Sequence, residues 1–401
     1  MLYDPTRHAP LTTAPWSDDA ANTGVRRIVA DAVARFEPES LWPAHPLDDP
    51  QDAIPFCMVY FGAAGVIWAL QRLQVAGAAD GIPDFAPTVA TLLERNRARL
   101  REWEPELRQV PSLLFGDVGI LLLQWRNAPS AAVADAIFAA VEGNLRNPTL
   151  EQLWGSPGTL PAAIHMFEWT GERRWRDLLA SGVMILRDQM EKMPESGAWI
   201  WTQDLYGRRM RYLGGGHGFA GNVFPAFRGA HLLPADLVAD LALRTAATLR
   251  ATARREAGRA NWPAAWPVTE DRADKGLVQD CHGAPGIICR LPTHAVPALD
   301  DLLVEGGELV WQAGPLAKGA GLCHGTAGNG YAFLKLYQRT GDQRWLERAR
   351  AFAMHALEQC DAHAAGYGQR RYSLWTGDLG VAVYVQSCRA GTDDYPTLDT
   401  F

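Results

Sequence analysis

The chain is predicted to be all-α, a closed double ring of seven inner and seven outer helices. Three observations predict it. A Gly-x-x-Gly word recurs seven times, each copy leads into an apolar stretch, and two copies share a second turn word at the same offset. Self-similarity at intervals of this size marks repeat architectures, in which each unit buries its apolar face only against its neighbours.

Taken in order, the words begin at Gly62, Gly116, Gly155, Gly218, Gly283, Gly325 and Gly377, with successive starts 54, 39, 63, 65, 42 and 52 residues apart. The stretches that follow have helical period: after Gly328 come Tyr331, Leu334 and Tyr337, widened by Phe333 and Leu336. The second word is Thr170-Gly171-Glu172 and again Thr340-Gly341-Asp342, in both cases with its glycine 16 residues after the first glycine of the repeat. There the glycine ends one helix and the acidic residue opens the next. Trp175, Leu178, Leu179, Gly182 and Leu186 then share one helical face, as do Trp345, Ala349, Phe352 and Ala353. Each repeat is therefore a helical hairpin, and the glycines supply tight turns and close backbone approach. The alternative, an open α-solenoid, needs polar capping repeats. The first and last units, beginning at Phe61 and Trp375, are as apolar as the rest, which favours closure. Period-2 patterns are sparse and little sheet is expected. One domain covers 1–401, with core repeats over roughly 55–392 and an N-terminal extension over 1–54.

With 48% apolar and 21% charged residues, the composition is that of a soluble protein with a large core. A net charge of −7 and scattered Lys and Arg argue against a nucleic-acid footprint or a cationic membrane surface. The longest apolar run, near Val59 to Leu70, is too short for a membrane span, which needs about 20 residues. No secretory signal is visible, and six unevenly spaced cysteines do not form a disulfide framework. A cytoplasmic location and a monomer are the expectations. Cys57, Cys289, Cys360 and Cys388 read as small buried apolar residues.

The remaining two cysteines stand in a repeated context, Cys281-His282-Gly283 and Cys323-His324-Gly325, 42 residues apart. Thiolate and imidazole are the donors zinc prefers, and equivalent turns of neighbouring hairpins open on the same end of a ring. Cys281, His282, Cys323 and His324 are all candidate ligands, and spacing does not select among them. His217 lies in Gly214-Gly-Gly-His217-Gly-Phe-Ala-Gly221, the glycine-richest segment. A histidine on such a turn suits a general acid or base better than packing.

Three words together, Gly-His217-Gly-x-Ala-Gly, Cys281-His-Gly-Ala-Pro-Gly and Gly-Leu-Cys323-His-Gly-x-Ala-Gly-Asn, resemble the signature of the lanthionine synthetase C-like family. That family comprises lanthipeptide cyclases and eukaryotic relatives that bind glutathione. The stretches ending at Gly62 and Gly377 are similar to the family's first and last repeats. Asp274-Lys-Gly-Leu-Val-Gln279, with the Cys-His-Gly-Ala-Pro-Gly word, leans towards the glutathione-binding branch. The resemblance implies the double ring reached above. It also implies zinc on Cys281, Cys323 and His324, with water or a substrate thiolate as fourth ligand, and His282 becomes a pocket residue. His217 matches the family's acid/base histidine, Glu151 an acidic residue near it, and Lys318 a basic residue that binds glutathione. Arg370 and Arg371 align less cleanly with the same anion-binding role. Relatives have Trp where this chain has Asp280, which could orient a ligand or alter substrate choice.

The implied reaction is addition of a zinc-activated thiol, from a peptide cysteine or glutathione, to dehydroalanine or dehydrobutyrine in a peptide or protein. No dehydratase is recognised in the chain, so a separate one is implied. Two other readings stand beside this one. The first is a non-catalytic zinc protein that holds glutathione or a modified peptide. The second is a carbohydrate-cleaving (α/α) barrel, which would need a paired acid/base constellation; isolated acids such as Asp117 and Asp378 lie between repeat glycines, but they give no reason for the two Cys-His words.

Overall fold

A computed structural model describes residues 1–48, 55–103, 110–268 and 274–401. Among the described residues are fourteen α-helices and three two-stranded hairpins. The inner helices are those that follow the Gly-x-x-Gly words: α2 (Ala63–Val75), α4 (Asp117–Asn127), α6 (Ser156–Thr170), α8 (Phe219–Arg228), α10 (Ala284–Cys289), α12 (Thr326–Thr340) and α14 (Asp378–Ala390). Each packs against the next, and α14 returns to α2, which closes the ring. The outer layer is α3 (Ala86–Trp103), α5 (Ala131–Asn144), α7 (Arg173–Asp188), α9 (Ala235–Thr252), α11 (Asp300–Ala313), α13 (Gln343–Tyr367) and α1 (Asp18–Ala34). The chain is an all-α double toroid.

The outer helix α1 comes from ahead of the first repeat, in the segment read from sequence as an extension. It packs on α14 and α13, so the seventh hairpin is assembled from opposite ends of the chain. The two longest repeat intervals, 63 and 65 residues, are where the strands lie. β1 (Glu191–Lys192) pairs with β2 (Trp199–Ile200), and β3 (Gln203–Leu205) with β4 (Arg208–Met210); both follow α7. β5 (Arg254–Glu256) and β6 (Arg259–Asn261) follow α9. No described helix is long and apolar enough to cross a membrane.

Each word builds a turn that curls back onto its own helix. The first glycine of all seven is the helix N-cap. The amide at the start of the helix often donates to a carbonyl of the incoming turn, as from Asp117 to Val110 at 2.8 Å and from Asp378 to Arg371 at 2.7 Å. Helix-end donors that would otherwise lack partners are satisfied inside the motif. The second glycine is needed because the curled turn sits directly on the helix. A Cβ on Gly328 would lie 1.7 Å from the Leu322 carbonyl oxygen, and one on Gly286 1.7 Å from that of Asp280. The second turn word also behaves as its sequence requires. Gly171 and Gly341 are left-handed C-caps with φ of 68° and 70°, and Glu172 and Asp342 are the next N-caps.

Neighbouring turns are tied together around the ring. Tyr60 N donates to Leu114 O, Gln152 N to Gly216 O, Gly216 N to Cys281 O, Leu322 N to Trp375 O and Trp375 N to Tyr60 O, at 2.9, 3.2, 3.4, 2.9 and 2.9 Å. Side chains bridge two further junctions, Ser112 Oγ to Leu153 O and Asn329 Nδ2 to Val278 O. The inner-helix N-termini thus form one end of the ring as a continuous hydrogen-bonded circle. Inside the ring, residues Tyr395 to Asp399 and Phe401 are buried against the inner helices: Lys335 of α12 pairs with Asp399 at 2.8 Å, and Phe401 packs near Trp68 and His165.

Gly328→Ala is expected to destabilise the fold by about 3 kcal/mol, the upper end for overpacking because the obstacle is backbone. Gly143→Ala in α5, where an added carbon meets nothing within 4 Å, should leave stability unchanged or raise it by about 0.5 kcal/mol. Denaturant midpoints measure both. Equal midpoints for the two variants would contradict the close-approach role of the second glycine.

Candidate metal centre and proton-transfer site

The residue just before each word's first glycine lies on the rim of this ring end. Going round, these residues are Phe61, Phe115, Trp154, His217, His282, His324 and Thr376. One arc of the rim is aromatic, with Phe115 stacked on Trp154 at 4.6 Å between centroids. The other arc holds three histidines in consecutive repeats. One position earlier the same register supplies Cys281 and Cys323. The chemistry-bearing residues are thus a property of the turns, not of the helices.

Among the described residues, the ligand atoms of Cys281, Cys323 and His324 lie within 4.8 Å of one another. Cys323 Sγ is 3.6 Å from His324 Nε2. Both cysteines are buried, at 2% and 4% exposure. The hydrogen bond from Cys323 drives the Cys281 thiol well below the ordinary thiol range, while that same bond and burial drive Cys323 well above it. Two touching buried sulfurs ionise together only beside a cation. Two sulfurs and one imidazole fit zinc. The structure brings together the three ligands that the resemblance implied, and His282 lies outside the group.

His217 Nδ1 is 3.1 Å from Glu151 Oε2. The Glu151 carboxylate is fully buried and accepts hydrogen bonds from the Leu153 and Trp154 amides of its own turn. It is therefore a built-in turn cap that also anchors His217, and the other ring nitrogen, Nε2, is left for the pocket. Burial works against the charged form of His217. The hydrogen bond to Glu151, the charge of Glu151 and that of Cys281 outweigh burial, so the pKa lies above the ordinary 6.5. The His282 ring is 5.5 Å from that of His217. Burial, reinforced by repulsion from His217 and His324, lowers its pKa despite the nearby Cys281. The two histidines are pushed towards opposite protonation states, the pattern of an acid beside a neutral partner.

Lys318, Tyr60, His324, Arg371 and Thr376 line a cavity of about 280 Å³ that reaches one of the candidate ligands, His324. Lys318 is exposed and has no ion-pair partner among the described residues. Arg371 binds Asp48 through both Nε and Nη2. Arg370 does not serve the cavity, because it is buried and held by Asp378 and Asp361, each at 2.9 Å. Asp117 is likewise held by Arg97 at 2.7 Å. The two acids considered for glycoside cleavage are ion-paired at helix starts. Asp280 does not orient a candidate ligand: it is buried in a bidentate pair with Arg290 at 2.7 and 3.0 Å. Arg290 Nε in turn donates to Gln152 at 2.7 Å, and its guanidinium covers the Tyr395 ring.

Two residues of the centre were not singled out from sequence. Tyr60 lines the cavity together with His324, and Gln279 Nε2 lies 2.9 Å from Cys281 Sγ. A signal existed: Tyr60 occupies the same position before its glycine as the two cysteines, and Gln279 the same position as Glu151.

Glu151→Gln is expected to lower the His217 pKa below its wild-type value, because burial is then less opposed; imidazole NMR titration measures it. The folded-state pKa exceeds the unfolded 6.5. His217 therefore contributes stability that is complete below pH 6.5 and is lost as pH rises through the folded pKa. This contribution should shrink in the variant. An unchanged titration would contradict the anchoring role.

A family profile for lanthionine synthetase C-like protein matches residues 50–400. A 113-residue stretch is 38% identical to glutathione S-transferase LANCL1 of Danio rerio, covering 27% of this chain and 28% of that protein. Another 113-residue match, 41% identical, is to LanC-like protein GCL1 of Arabidopsis thaliana, with 26% of each chain covered. These matches span little more than a quarter of the relatives' own lengths. The structure superposes on nisin cyclase with a TM-score of 0.61 over 93% of this chain and 95% of that one, at 13% identity, which shows a shared fold. On the extent of the family match and the fold together, the chain belongs to the lanthionine synthetase C-like family.

Proposed function

We propose that the protein forms thioether bonds by adding a thiol, from glutathione or a peptide cysteine, to dehydroalanine or dehydrobutyrine. The observation that carries this reading is the placement, on one rim, of a two-sulfur, one-imidazole donor set next to a histidine anchored by a buried carboxylate. Cys281, Cys323 and His324 would hold zinc, which supplies the positive charge that keeps a thiol ionised at neutral pH, where a free one is only a few per cent thiolate.

The rest is the work of the chain's own residues. Sulfur attack at the β-carbon forms the C–S bond and moves the π electron pair into the adjacent carbonyl as an enolate. The α-carbon then takes a proton. His217, held charged by Glu151, is the donor, and Nε2 carries the proton. His282, kept neutral, orients and hydrogen-bonds beside it. The proton lost by the thiol returns to His217 directly or through water, so the sum is an addition with no co-reactant. Lys318 gives the adjoining cavity an open cation for a carboxylate, which suits glutathione. Arg371 is already neutralised by Asp48.

Incubation with a dehydroalanine peptide and glutathione should yield an adduct of the summed mass. Cys323→Ala should lose zinc and activity together. His217→Ala should retain zinc while the adduct rate falls by about 10²- to 10⁴-fold, the usual contribution of a general acid. Lys318→Ala should raise KM for glutathione and leave kcat nearly unchanged. A purified protein that binds zinc and glutathione but forms no adduct with any dehydroamino-acid peptide would replace the catalytic reading with a binding one.

A further inference from the structure

The cysteines that hold the metal are themselves thiolates, so an electrophilic dehydroamino acid brought to them could be attacked by the wrong sulfur. One of the two protein sulfurs already accepts a hydrogen bond from a neighbouring side chain, Cys281 from Gln279 at 2.9 Å. We propose that Gln279 is a positioning residue that lowers the nucleophilicity of the Cys281 sulfur, leaving the substrate thiol as the one that reacts. The proposal rests on the thioether-forming reading above.

The direction of the Gln279 amide follows from its neighbours. Arg7 Nη2 lies 3.2 Å from the Gln279 side-chain oxygen, and a guanidinium can only donate. The oxygen therefore faces Arg7, and the NH₂ group faces Cys281 Sγ at 2.9 Å. The backbone keeps this geometry rigid. Gln279 N donates to His282 O at 3.0 Å and His282 N to Gln279 O at 3.1 Å, which closes a tight turn around Asp280 and Cys281. Gln279 is 5% exposed, so water does not compete for the sulfur. Arg7 is fixed as well, since the Ala317 amide donates to its carbonyl at 3.0 Å.

The register makes the assignment more specific. Four residues before the first glycine, Ser112 and Glu151 use their side chains to cap the amides of their own turns. Gln279 occupies that position in the fifth turn and donates to the sulfur instead. A donor to a thiolate withdraws charge from the lone pair that would attack carbon.

Gln279→Glu separates this role from a purely structural one. It retains an acceptor for Arg7 and replaces the donor to sulfur with an acceptor; Gln279→Leu removes both. In the cobalt-substituted proteins, both variants should show the sulfur-to-metal charge-transfer band at longer wavelength than wild type. In the zinc-loaded proteins, iodoacetamide should alkylate Cys281 about tenfold faster, the scale of one charge-assisted hydrogen bond, with the C–S bond forming as iodide leaves. Alkylation of Cys289, buried away from the centre, should be unchanged. Coincident bands together with equal Cys281 alkylation would overturn the Gln279 assignment and leave the reaction untouched. A wild-type protein that binds neither zinc nor cobalt would overturn the metal centre and this proposal together.

Discussion

The contact on which the structure depends is that of the second glycine of each word with the backbone carbonyl six residues before it. At 1.7 to 2.3 Å from a would-be Cβ, no side chain fits at any of the seven positions. This approach lets each incoming turn fold onto the start of its helix and cap it. The capped turns then present backbone groups sideways, and these groups, with the Ser112 and Asn329 side chains at two junctions, join into the circle that runs from Tyr60 through Gly216, Cys281 and Trp375 back to Tyr60. Ring closure at this end is largely a backbone event. The residues just before each glycine are carried to the rim as a consequence.

A rim built this way can collect side chains from distant parts of the sequence at little conformational cost. Cys281 and Cys323 come from turns five and six, Glu151 and His217 from turns three and four. The electrostatics beneath it are equally organised. Asp280, Arg290 and Gln152 form a fully buried network linking turns five and three, with Tyr395 stacked on the guanidinium. Breaking such a pair by removing one partner typically costs about 3–5 kcal/mol. The Asp280 carboxylate, one residue from the candidate ligand Cys281, is thus spent on a charge in the core.

Much of the fold was legible because its rules are local. Gly-x-x-Gly reports a steric requirement inside one motif, and Thr-Gly-Asp a helix end and the next start, so both survive reading without coordinates. The candidate ligands were narrowed only with the family resemblance, since spacing treats His282 and His324 alike. What stayed hidden is what depends on lateral neighbours. Gln279 is unremarkable until Arg7 and Cys281 stand on either side of it. Tyr60 matters because the first turn closes against the seventh and sixth. The origin of α1 at the opposite end of the chain, and the three hairpins that lengthen two intervals, are likewise set by tertiary pairing and leave little trace in hydrophobic period.

The central claim is that the rim holds a metal with three protein ligands and receives a substrate thiol as the next. X-ray absorption at the zinc edge of the purified protein, before and after addition of glutathione or a cysteine peptide, tests it most directly. The account predicts two sulfur ligands at rest, from Cys281 and Cys323, and three with the thiol present. A sulfur number unchanged by thiol, or a resting site closed by a second imidazole from His282, would contradict it.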